Sequence, residues 1–234
     1  MLNYKYRSSE RELMDHPDID QEVLNEALRD VSRVNKLLGG NRITINAVFK
    51  RILLLKNDNP VILDLGCGDG EILRLLAGKA RKKRISATFI GVDISEKGIR
   101  QAIKQSKDYP EIRYVCKDLK ALDPIQYGCD ILICTLTLHH LPDAEIIKIL
   151  QKSMTLVFDS IIINDLHRNK LASFFFRIFS LFLIKSKVAK HDGLVSIKSA
   201  FVRKDFLNYA THLNFKNTSI SWRWAFRYEW IIAK

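Results

Sequence analysis

"VILDLGCGDGEI", Val61 to Ile72, decides the fold. The apolar-rich run Val61 to Leu65 leads straight into Gly66, Gly68 and Gly70, and an amphipathic stretch follows at once. An apolar run without alternation predicts a parallel strand buried on both faces. Glycines at alternate positions let the chain turn sharply and bring its backbone close to a ligand at the start of the next helix. Strand, glycine loop and helix together begin a doubly wound α/β unit.

Working outward, the same alternation recurs. The runs "ATFIGVD", "IRYVC", "CDILICT" and "SIIIND" are separated by helix candidates at Ile72 to Lys83, Glu96 to Lys107 and Ala144 to Leu156. Downstream lie a helix candidate at Lys204 to Leu213 and two strands, "FKNTSISW" and "FRYEWIIAK", which fit an antiparallel hairpin on the sheet edge. Upstream, Glu22 to Leu38 has helical apolar spacing and stops at Gly39-Gly40, with a second helix expected over Thr44 to Lys56. The expected fold is α/β: a doubly wound, mostly parallel seven-stranded sheet with an antiparallel C-terminal hairpin. It forms one domain over residues 1–234. Residues 1–58 make an N-terminal helical cap and 59–166 the ligand-binding core. A lid insertion after strand five occupies 167–200, and 201–234 form the last helix and hairpin.

Cys67, Cys116, Cys129 and Cys134 contain no C-x-x-C pair, which argues against structural zinc and a disulfide framework. No metal is expected. The polar start of the chain has no signal-like apolar stretch, so a cytoplasmic location is expected. The net charge of +12 leaves nucleic acid, anionic lipid, an acidic partner or plain solubility open.

In such folds ligands bind beyond the carboxyl ends of the strands. Asp64, Asp69 and Glu71 surround the glycine loop, and Glu71 stands where a dinucleotide fingerprint wants Gly or Ala. Three acids would repel a pyrophosphate and suit a cationic ligand, which argues against NAD. Asp93 ends the second strand, where an acid can accept both ribose hydroxyls, with Ile94 beside the adenine face; it could also cap the next helix. Asp118 follows the third strand, and the fourth leads into "CTLTLHHLPD".

"LDLGCGDG", "IGVDIS", "KDL" and "CDILICTLTLHHLPD" resemble the motifs of class I S-adenosylmethionine-dependent methyltransferases over roughly Val61 to Leu166. The resemblance implies S-adenosylmethionine as cofactor and S-adenosylhomocysteine as product. It places the methionine part at Asp64, Gly66, Cys67, Gly68 and Gly70, the ribose at Asp93, and the adenine at Ile94 and at Asp118 with Leu119. Thr135 and His140 border the cofactor. Within that superfamily "HHLPD" is most similar to the small-molecule branch, including the methyltransferases of ubiquinone and menaquinone biosynthesis. The N-terminal signature of the quinone enzymes is replaced by "ERELMDHPDID". More loosely, "ERELMD" and "HDGLVSIKSAF" resemble small bacterial methyltransferases associated with polyketide-type phenolic metabolites.

The implied substrate is a lipophilic, phenolic or quinone-like small molecule, methylated on oxygen or carbon. A phenol benefits from a base, and histidine suits neutral pH. His191, His139 and His167 are the candidates, beside the alternative that no histidine acts. An RNA or protein methyltransferase using the basic surface is the competing function. Against it, "CTLT" lacks the box of nucleobase amine methylases, and nucleic acid is not the expected partner. A cofactor-binding partner without catalysis is a further alternative.

The most apolar stretch, "LASFFFRIFSLFLIKSK", Leu171 to Lys187, is too short and interrupted to span a bilayer, which needs roughly 20 apolar residues. As a helix it has a narrow polar stripe of Ser173, Arg177 and Ser180, and the rest is more apolar than a water-exposed lid tolerates. Three readings stay open: a core-packing lid, a lid whose Phe175 and Phe179 line a substrate pocket, and peripheral membrane contact. The same face could close a homodimer of an otherwise monomeric chain.

Overall fold

The computed structural model describes residues 4–16 and 18–234. Seven strands form one sheet: β1 (Val61–Leu65), β2 (Thr88–Asp93), β3 (Ile112–Cys116), β4 (Cys129–Thr135), β5 (Val157–Leu166), β6 (Asn217–Arg223) and β7 (Arg227–Ala233). Their order is β3-β2-β1-β4-β5-β7-β6. The first five are parallel, and β7 runs antiparallel to both β5 and β6. The order reverses between β1 and β4, which opens a crevice at their carboxyl ends.

The helices are α1 (Gln21–Leu37), α2 (Gly40–Ile52), α3 (Glu71–Lys83), α4 (Glu96–Gln105), α5 (Pro124–Tyr127), α6 (Asp143–Leu156), α7 (Lys170–Leu183), α8 (Lys187–Ser199) and α9 (Arg203–His212). The period-two geometry of strands divides the sheet residues between two cores. Ile62, Phe89, Ile131, Ile133 and Ile162 face a layer supplied by Val48, Phe49, Leu73 and Leu76 of α2 and α3. Leu63, Ile90, Leu132, Ile161 and Ile163 face Ile146, Leu150, Phe206 and Tyr209 of α6 and α9. Trp230 of β7 is fully buried there, its ring 5.2 Å from that of Phe206.

The sequence expectations hold for the sheet and its hairpin and shift for the helices. α2 begins four residues earlier than expected and ends four earlier, because Gly39 takes a φ of +71° and turns the chain straight from α1 into α2. The insertion after β5 is two helices, α7 and α8, and only the first was expected.

The larger correction concerns the Phe-rich helix. Asn169 caps α7 by accepting the Leu171 N–H at 2.8 Å. Its inward face carries Ala172, Ser173 and Ser180, and Phe176 fills the space where Gly193 of α8 has no side chain. Ser173 and Ser180 of the polar stripe are therefore on the packed side, and Arg177 is exposed. Phe174 and Phe175 are about half exposed, and Leu181 and Phe182 are 70% and 82% exposed. Phe179 is partly buried.

Before α1 the chain crosses the carboxyl end of the sheet as a strap. The Arg7 guanidinium donates to the carbonyls of Leu138, His139 and Leu141 and pairs with Asp143. The Ser8 N–H donates to the Lys198 carbonyl at 3.1 Å. The N–H groups of Leu13 and Met14 donate to the buried Asp192 carboxylate at 2.8 and 2.9 Å.

Candidate functional site

The glycine loop is fixed by its neighbour strand. The Gly66 and Cys67 N–H groups both donate to the Val92 carbonyl, at 2.8 and 3.1 Å. The Gly68 N–H donates to Asp93 Oδ2 at 2.8 Å, and the Ser95 N–H to Asp93 Oδ1 at 2.8 Å. Asp93 therefore ties the loop to the start of α4 while each carboxylate oxygen keeps a lone pair free.

Two glycines show which side is open. Gly68 has φ +53° and nothing within 4 Å of where a Cβ would stand, so its bare face looks onto space for a ligand. Gly70 has φ +77°, and a Cβ there would overlap the Tyr114 hydroxyl, which is itself held by Ser106 at 2.8 Å. Gly70→Ala combines left-handed strain with a clash against an anchored ring. It should lower stability by about 2 kcal/mol or more in a denaturant titration.

Cys67 departs from its expected role. Its side chain is buried under the loop, at the spot left by Gly91, so only its backbone can meet a ligand. Ile94 is 73% exposed beside Asp93, as an adenine-facing residue would be. Asp118 is exposed and accepts the Lys120 N–H at 2.8 Å. Leu119 opens a short 3-10 turn, and its side chain lies outside the described residues. Thr135 ends β4 with its hydroxyl 2.9 Å from that of Thr44.

Asp64 is buried, and burial followed by the Asp93 charge pushes its carboxyl well above the usual range. Its Oδ1 has no hydrogen-bond partner. Asn164 Oδ1, Asp165 Oδ2, His167 Nδ1 and Arg227 Nη1 are also buried and without partner. These four belong to the carboxyl end of β5 and the adjoining start of β7. The hydroxyls of Ser160, Ser173 and Ser199 are unpartnered as well, but four such atoms gather at this one end of the sheet, where a bound ligand could satisfy them.

Beside it lies an ion network. His139 is buried, its Nδ1 2.7 Å from Asp165 Oδ1 and its Nε2 3.5 Å from Glu12 Oε1. Burial disfavours the imidazolium, but Asp165 and then Glu12 outweigh it and bring the pKa to about 9. A histidine already charged at neutral pH, with a carboxylate on each side, is poorly suited to act as a base. His140 Nδ1 lies 3.1 Å from Asp15 and 3.9 Å from Glu12. It therefore faces the strap. Glu12, His139 and His140 each place a ligand atom within 4.8 Å of the others, a spacing that a divalent ion could also use.

The other two histidines separate clearly. His191 on α8 is near half exposed, its Nδ1 3.0 Å from Asp192 and its Nε2 3.5 Å from Glu10. Among the described residues, His167, just past β5, has no acid partner. Burial, then the Arg168 charge, lower its pKa, which leaves it neutral at pH 7. Its ring lies 4.9 Å from Tyr228 and 6.4 Å from Phe226. Phe226 is in turn 6.2 Å from Phe175 and 6.1 Å from Trp222.

Comparison with known proteins agrees with this geometry. Residues 62–158 match the family model described as a methyltransferase domain. That match spans the parallel part of the sheet, from β1 to the start of β5. Among solved structures, the plantazolicin methyltransferase in complex with SAH is 16% identical, with a TM-score of 0.66 over 88% of this chain and 89% of that one. The magnesium protoporphyrin IX methyltransferase of Synechocystis PCC 6803, with bound SAM, is 18% identical, with a TM-score of 0.56 over 95% and 88%. Likeness at that identity establishes a shared fold. A curated relative, the tRNA (guanine-N(7)-)-methyltransferase of Chloroherpeton thalassium, is 28% identical over 125 residues, 48% of this chain and 47% of its own length. The chain thus matches about half the length of that relative.

The site offers open backbone at Gly68, an unpartnered buried carboxyl at Asp64 and acceptor capacity on Asp93. The sequence pointed to these through strand-end acids. It assigned no site role to Glu12, Asp15, Thr44, Asn164, Asp165 or Arg227. Asp165 ends a strand as Asp93 does and could have been found the same way.

Proposed function

We propose that this methyltransferase domain transfers the methyl group of S-adenosylmethionine to oxygen or carbon of a lipophilic, phenolic or quinone-like small molecule. The unpartnered Asp64 carboxyl beside the open face of Gly68 carries the cofactor part of this reading. The aromatic group of Phe175, Phe226 and Trp222 above His167 supports the substrate class.

The cofactor supplies an electrophilic methyl on a sulfonium. Asp64, held neutral by burial and by Asp93, would ionise beside an ammonium and pair with it. Asp93 would accept from the ribose hydroxyls through its free lone pairs while still holding Gly68 and Ser95. Ile94 would lie against the adenine and Asp118 accept from its amino group. Holding nucleophile and methyl in line supplies most of the acceleration.

His167 is the base this arrangement favours. It is neutral, and its bare Nδ1 is free to take a phenolic proton. His167→Ala is expected to lower kcat on a phenol by about 10²–10⁴ at pH 7 while leaving S-adenosylhomocysteine binding unchanged. The wild-type rate should rise with pH through a pKa below the ordinary 6.5 and level off by neutrality. A variant as fast as wild type would remove His167 from the chemistry.

The tRNA methyltransferase relative and the net charge of +12 favour one second reading, methylation of RNA. Methyl-labelled cofactor, incubated with the protein and lysate of its source cells, separates the two. Label in the organic extract supports the lipophilic substrate. Label in RNA or protein overturns it.

A further inference from the structure

α7 is built in reverse of an ordinary amphipathic helix in a folded domain. Its small residues pack inward, while Leu171, Phe174, Phe175, Ile178, Leu181 and Phe182 are 44–82% exposed. The patch continues through Phe175 and Phe226 onto the hairpin turn, where Trp222 and Trp224 are 48% and 67% exposed. Contiguous apolar surface of this kind marks an interaction site. Among the described residues no helix is long and apolar enough to cross a membrane, so the face must be met from one side.

The charges around it select the partner. No acid occurs between Asp165 and Asp192. Lys170, Arg177, Lys185 and Lys187 are exposed around α7, and among the described residues none of them forms an ion pair. A second copy would set four cations against four, whereas an anionic surface complements them. An apolar helix face rimmed by Lys and Arg, with tryptophans at its edge, is the pattern of a helix lying in the plane of a membrane interface.

We propose that the outer face of α7, with Trp222 and Trp224 of the hairpin turn, docks on an anionic lipid surface. Docking needs no cofactor and therefore stands apart from the methyl-transfer reading. If both hold, the lipid surface is also where a lipophilic substrate would be collected, next to Phe175 and His167.

Flotation with vesicles of phosphatidylcholine, with and without about one third phosphatidylglycerol, in about 0.1 M salt, tests this. Wild-type protein should bind the anionic vesicles at least about tenfold more strongly than the neutral ones, and high salt should weaken binding. Leu181→Ser with Phe182→Ser should lose at least about tenfold while S-adenosylhomocysteine binding, as a check on folding, is retained. Lys185→Gln with Lys187→Gln should weaken anionic binding and flatten its salt dependence. Wild type that stays with the aqueous phase, or floats equally with both vesicles, overturns the proposal. So does a double-serine variant that floats like wild type. A concentration-dependent dimer that Phe182→Ser dissociates, without vesicle binding, assigns the face to a second copy.

Discussion

Asp93→Ala should weaken S-adenosylhomocysteine binding by at least about a hundredfold, measured by titration calorimetry, in a protein that still folds. Asp93 organises the loop by accepting from the Gly68 and Ser95 N–H groups at 2.8 Å. It is also the group proposed to accept from the ribose. Each hydrogen bond to a charged acceptor is worth about 1.5–3 kcal/mol, so losing two to the ligand corresponds to a hundredfold or more. Asp93→Asn keeps one acceptor oxygen and should fall between wild type and Ala. The N-cap of α4 is Ser95, not Asp93 as the sequence allowed. If Asp93 only ties Gly68 to Ser95, Ala would cost about 1–3 kcal/mol of stability and less than tenfold in binding. That outcome would remove the ribose assignment.

The buried His139 network should dominate stability. Removing one member of such a pair strands its partner's charge, and His139→Ala is expected to cost about 3–5 kcal/mol in a urea titration at pH 7. The pH dependence distinguishes this from simple loss of packing. The pKa of His139 is raised from the ordinary 6.5 to about 9. Its contribution, on the order of 3 kcal/mol, is therefore fully present below pH 6.5 and is lost as pH rises through 9. On the acid side burial opposes ionisation of Asp165 and Glu12, but His139 outweighs it and lowers both. Their contribution is present above the ordinary carboxylate pKa and is lost as pH falls through the lowered values. Stability should thus be greatest between about pH 5 and 7. In His139→Gln the alkaline decline should flatten. A decline identical to that of wild type would show that the imidazole is not charged in the folded protein.

The sheet was legible because its evidence is local: each buried strand is a short apolar run and each helix a 3.6-residue pattern within its own segment. The strand-end acids Asp64, Asp93 and Asp118 were legible because the topology sends every parallel strand toward the same edge. The partners of His139 and His140 were not. Glu12 and Asp15 approach them across 125 residues or more of chain, and no local pattern announces such a contact. The facing of α7 was misread for a different reason. Hydrophobicity predicts the buried side of a helix only when water is the alternative on the other side. Here Ser173 and Ser180 are buried, Gly193 makes room for the Phe176 ring, and most of the other bulky side chains of α7 are left outside. α8 escaped notice because Gly193 and its interspersed charges blur the periodicity of "KVAKHDGLVSIKS".

The strap has a consequence for the order in which the molecule is made. Arg7, Leu13 and Met14 precede in the chain the groups that hold them, Asp143, Asp192 and the Ser199 carbonyl. Glu12 likewise waits for Ser196 of α8. Closing loops of that length is slow compared with pairing neighbouring strands. A nascent chain can therefore assemble the glycine loop and β1 to β4 before the strap has all of its partners. The strap is synthesised before the sheet it crosses yet finds its place after it, once α8 has formed.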